Sequence, residues 1–108
     1  FSNLDKDELH ELAALAIERS FVPDEFIFWE GDAPDWFYIV AEGKVKALKH
    51  SSSGKEFIIS FFGPGEIFGE VAVFENKPYP ASAQAVAETR VLGIKREDFL
   101  NFLASSPQ

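Results

Sequence analysis

The residues best suited to chemistry lie between positions 68 and 85, in the stretch FGEVAVFENKPYPASAQA. Gly69 admits backbone conformations, or a close approach, that a side chain would block. Glu70 follows it, and Val71 to Phe74 can complete one helical turn. Amides at the start of such a turn point outward and favour an anion. A carboxylate beside them needs a different task, such as accepting a hydrogen bond from a ribose hydroxyl. Ala81, Ser82 and Ala83 keep the facing strand low, with one hydroxyl to offer. The expected counter-charge is missing. Between the turn and the facing strand the chain has Tyr79, which carries no charge, followed by Pro80, which has no N–H. Lys77 is the one cation in the stretch, and a flexible lysine supplies a point charge in place of a planar fork. Taken alone, a Gly-Glu pair also describes a simple bend and a solvated acid, so the longer pattern has to decide.

The elements that must hold this stretch are mostly strands. Asp5 and Glu8 suit a capping box, and Leu9, Leu12, Ala13 and Ala16 recur at helical spacing, which predicts a first helix ending near Ser20. Short aromatic and β-branched runs follow, at Phe26–Trp29, Trp36–Val40, Val45–Leu48, Phe57–Phe62, Ile67–Phe68, Ala81–Ala87 and Val91–Ile94. Glycine-rich turns separate them, the pattern of an all-β sandwich or barrel. Phe57-Ile58-Ile59 and Phe61-Phe62 are apolar on both faces. One face can line the interior, and the other needs cover that terminal helices could provide. A last helix carries Phe99, Phe102 and Leu103 on one side. The aromatic residues are core material first, so Trp29, Trp36 and Phe37 are expected inside the roll.

Composition narrows the function. At 108 residues the chain reads as one domain, residues 1–108, and the lack of cysteine excludes disulfides and thiolate metal sites. The formal net charge is −8, with no concentrated basic face to hold nucleic acid. No run approaches a membrane span, and no basic-then-apolar leader is visible, so a cytoplasmic location is expected. His10 and His50, far apart in sequence, are too few for a metal-dependent enzyme. The chain begins at Phe1 and contains no methionine, which reads as a domain taken from something longer.

Residues 63–85 closely resemble the phosphate-binding cassette of the cyclic-nucleotide-binding domain found in Crp/Fnr-type regulators and kinase regulatory subunits. Trp29-Glu30-Gly31-Asp32, Phe37-Tyr38-Ile39-Val40, Gly43-Lys44-Val45, Gly63-Pro64-Gly65-Glu66 and Val91-Leu92-Gly93-Ile94 extend the resemblance through almost the whole chain. It implies a mainly β fold, a double-stranded β-helix or jelly-roll flanked by short N- and C-terminal α-helices. It also implies a ligand site in which Gly69 and Val71 offer amides, Glu70 binds the ribose 2′-hydroxyl and Ser82 adds a polar side chain. The family's phosphate-binding arginine falls on Tyr79, and the next phosphate-holding residue falls on Pro80. Removing one partner from a buried charge pair costs about 2–5 kcal/mol. That is roughly 30-fold to several-thousand-fold in affinity.

The resemblance therefore implies a non-enzymatic sensor of a small effector, with weak or altered binding of a cAMP-like cyclic nucleotide. Haem, with a histidine as axial ligand, is the alternative, as is a ligand-free interaction module. The family further implies a homodimer formed through a helix beyond residue 108, and DNA contact only through a separate C-terminal domain.

Overall fold

The computed structural model describes residues 6–105. In chain order they form α1 (Lys6–Ala14), β1 (Ile17–Phe21), β2 (Phe26–Phe28), β3 (Trp36–Glu42), β4 (Val45–His50) and β5 (Glu56–Phe62). Then come β6 (Ile67–Phe68), α2 (Glu70–Glu75), β7 (Ser82–Ala85), β8 (Thr89–Lys95) and α3 (Arg96–Ser105). The strands make two four-stranded antiparallel sheets, ordered β1-β8-β3-β6 and β2-β7-β4-β5. This is the expected jelly-roll with short flanking helices.

Alternation along β3 divides the core in two. Tyr38 and Val40 point into the roll, where they meet Phe21, Ile27, Val45, Phe68 and Val91. Phe37 points the other way and, with Ile94 of β8, packs under Leu12, Val73, Phe99 and Phe102 of the helices. A period of two on a strand thus serves two cores at once.

Four expectations are corrected. The first helix ends at Ala14, not near Ser20, and residues 17–21 pair with β8 from Ile17↔Gly93 to Phe21↔Thr89. Non-local pairing overrides the local helical pattern, because an otherwise unpaired edge of β8 gains a ladder. Leu103 is exposed although Phe99 and Phe102 are buried. Trp29 lies on the surface, stacked on Phe26 with ring centroids 3.7 Å apart, and Trp36 is half-buried; only Phe37 is fully enclosed, on the helix side. The helices cover the β1-β8-β3-β6 sheet, not β5, so Phe57, Ile58, Ile59 and Phe61 stay about half exposed. The proposed Asp5 cap lies outside the described residues.

Candidate functional site

The loop leading to the site is anchored to β3. Gly65 N–H donates to the Val40 carbonyl at 2.8 Å, and Val40 N–H donates to the Glu66 carbonyl at 3.0 Å. The Glu66 carboxylate closes the turn by accepting from Gly63 N–H at 2.8 Å. β6 then pairs with β3 and delivers the chain to Gly69. There φ is +85°, in the left-handed region that favours glycine, whereas the space around a Cβ would be ordinary. α2 follows at once, burying Ala72 and Val73 and leaving Glu70 half-buried at its start. Asn76, also left-handed, ends the helix and turns the chain back towards the roll.

Tyr79 is pinned from both sides of its backbone. Its N–H donates to the Asp32 carbonyl at 3.1 Å, and its own carbonyl accepts from Gly31 N–H at 2.9 Å. The side chain turns inward and is only 4% exposed. Its ring stacks on Phe28 at 3.7 Å and 9°. Its hydroxyl donates to the Trp36 carbonyl at 2.5 Å and accepts from Trp36 N–H at 3.2 Å. Burial pushes the phenol up to about 12, so Tyr79 is neutral across the physiological range. It cannot replace a guanidinium. Ser82 is buried too, and its oxygen accepts from Glu30 N–H at 2.8 Å, which leaves the hydroxyl proton as a donor.

All six residues singled out in the sequence, Gly69, Glu70, Val71, Tyr79, Pro80 and Ser82, line one cavity of about 370 Å³. Lys77 does not; it is exposed and 4.0 Å from Glu75. Phe28, Lys49, Ile59, Ser60, Phe62 and Phe68 complete much of the wall and were missed as site residues. The doubly apolar run in β5 was the one available signal, because half of it had to face something other than the core. Lys49 is the cation that reaches the cavity wall, and it sits 3.8 Å from Glu30. The histidines are both exposed, His10 on α1 and His50 at the end of β4, and neither lines this cavity. That leaves haem without an axial imidazole here. Among the described residues, no three histidine or carboxylate side chains cluster as metal ligands, and no helix is long and apolar enough to cross a membrane.

An antiparallel roll with a glycine-acid lip beside an open, mainly apolar cavity has the layout of a small-ligand-binding module. The chain belongs to the Cyclic nucleotide-binding domain family, which matches residues 18–106. Among curated proteins it is similar to the Cyclic AMP receptor protein of Thermus thermophilus, 35% identical over 108 residues, which cover 99% of this chain and 50% of that protein. It is also similar to the CRP-like cAMP-activated global transcriptional regulator of Mycobacterium tuberculosis, 30% identical over 89% of this chain and 45% of that protein. Among solved structures, the N-terminal domain of a transcriptional regulator from Streptomyces coelicolor superposes with a TM-score of 0.90. Its identity is 34%, over 99% of this chain and 75% of that one. The chain spans about half the length of these curated relatives. It is a cyclic nucleotide-binding domain like those of Crp-family regulators.

Proposed function

We propose that residues 1–108 form the effector-sensing domain of a Crp-type transcription regulator, cytoplasmic and without enzymatic activity, whose hold on cyclic nucleotides is weak. The ligand enters the cavity between α2, β4, β5 and the segment before β7. There Gly69 and Val71 offer amides, Glu70 accepts from hydroxyls and Ser82 donates. Pro80 has no N–H to add. The observation that carries the reading is the state of Tyr79. Its ring is spent on Phe28 and its hydroxyl on the Trp36 backbone, so the position that would meet a phosphate presents no charge and no free donor.

Output would be a population shift. A ligand that prefers one arrangement of the domain biases how a second copy pairs through the remainder of the parent protein, and a separate domain there contacts DNA. Calorimetric titration with cAMP and cGMP tests the weak-binding claim. Dissociation constants near millimolar are expected. Micromolar, saturable binding that disappears in Glu70→Ala would overturn it.

A further inference from the structure

We infer that the cassette cavity selects an uncharged ligand, with a planar apolar body, hydroxyl donors for Glu70 and an acceptor for Lys49. This rests on the reading that the cavity is the effector site, and it goes further by specifying the ligand's charge and polarity.

The wall is mainly apolar and includes the rings of Phe28, Phe62, Phe68 and Tyr79. Phe28 and Tyr79 stack against each other, and Phe62 lies 5.6 Å from Phe68 at 29°. Such ring surfaces favour a flat body over a flexible chain. A volume of about 370 Å³ falls within the range of small-ligand pockets.

The charges on the wall have opposite signs and unequal freedom. Lys49 is already opposed by Glu30. Glu70 is half-buried, and among the described residues no hydrogen bond or ion pair engages its carboxylate. Within a chain of −8, on the wall itself Lys49 counts +1 and Glu70 −1, while Glu30, outside the lining, engages Lys49. A phosphodiester would meet Glu70 with no guanidinium to offset the repulsion. A cationic ligand would meet Lys49. A neutral ligand escapes both conflicts and can offer O–H donors to the half-buried carboxylate, an acceptor of such bonds.

Adenosine and cAMP share a base and a sugar and differ in the charged diester, so they make a matched pair of probes. Binding is read by calorimetry and by amide NMR shifts at Gly69 and Val71. Adenosine is expected to bind at least tenfold tighter than cAMP, and Glu70→Gln, which keeps the side chain's shape, is expected to weaken adenosine about tenfold and cAMP by less, because cAMP gives up a repulsion along with the hydroxyl acceptor. Equal or tighter cAMP binding, with shifts at Gly69 and Val71, overturns this inference and leaves the effector site standing. Adenosine binding that Glu70→Gln leaves unchanged also overturns it, by removing the carboxylate's role. If neither probe moves those amides at millimolar concentration, while the thermal unfolding curve shows a folded protein, the effector-site reading itself falls.

Discussion

The β1-β8-β3-β6 sheet and the β2-β7-β4-β5 sheet are built from similar aromatic and aliphatic residues, yet their outer faces differ. The first carries the helices, with Phe37 and Ile94 fully buried beneath Leu12, Val73 and Phe99. Among the described residues the second carries no helix on its outer face, and its edge strand β5 leaves Phe57, Ile58, Ile59 and Phe61 about half exposed, with Ile59 on the cavity wall. An open apolar edge is a liability that a stable fold ordinarily covers or charges. Where β5 lines the cavity, hydrophobic residues serve two uses, one to close a core and one to wall a cavity. Tyr79 joins these regions: it precedes β7 of the open sheet and bonds Trp36 of the covered one.

The largest effect that tests this contrast is Phe37→Ala, which should cost about 3–5 kcal/mol by chemical denaturation, as for other fully buried aromatic truncations. A loss below about 1 kcal/mol would mean that the helix-covered side is not the stabilising core. Next comes the pair Tyr79→Arg with Pro80→Ser. Supplying a cation and a backbone amide should tighten cAMP binding at least 30-fold, about 2 kcal/mol at the low end of a buried charge pair. The same change gives up the stack on Phe28, so the melting temperature should fall while affinity rises. A protein that folds yet binds cAMP no better would place the defect in cavity shape instead of charge.

Tyr79→Phe should cost about 1–2 kcal/mol, because both Trp36 backbone groups lose their hydroxyl partner. It also carries a pH signature. Burial raises the Tyr79 phenol from 10.0 to about 12, so the folded state holds its proton more tightly than the unfolded state. That stabilisation is complete below pH 10 and is lost as pH rises towards 12. Denaturation midpoints recorded across that window should fall less steeply in Tyr79→Phe. Tyr38, raised mainly by burial and partly offset by Arg19, retains a slope of the same sign. The smallest effect belongs to the open face, where Phe57→Ser should alter stability by no more than about 0.5 kcal/mol. A loss matching that of Phe37→Ala would show that β5 belongs to the core after all.

Much of this was legible in the chain. Glycine turns and β-branched or aromatic runs placed the strands to within a few residues, since turn chemistry and strand propensity are local. The spacing of Gly69, Glu70 and Ser82 marked the cavity's lip, because a left-handed glycine before a short helix leaves a local trace. β1 was not legible. Leu9, Leu12, Ala13 and Ala16 keep helical spacing almost up to it, and only the free edge of β8 turns Ile17–Phe21 into a strand. Lys49 was equally hidden as a site residue, because it reaches the cavity from β4, distant in sequence from Gly69.

By itself, then, the order of residues determined a mainly β roll, its cassette and the absence of an arginine at position 79, all of which rest on nearby residues and their types. Tertiary structure decided which apolar faces are covered and which stay open. It also decided that Tyr79, on the cavity wall, commits its ring to Phe28 and its hydroxyl to the Trp36 backbone. Those outcomes depend on partners brought together from far along the chain, and side-chain identity alone does not specify which partner will arrive.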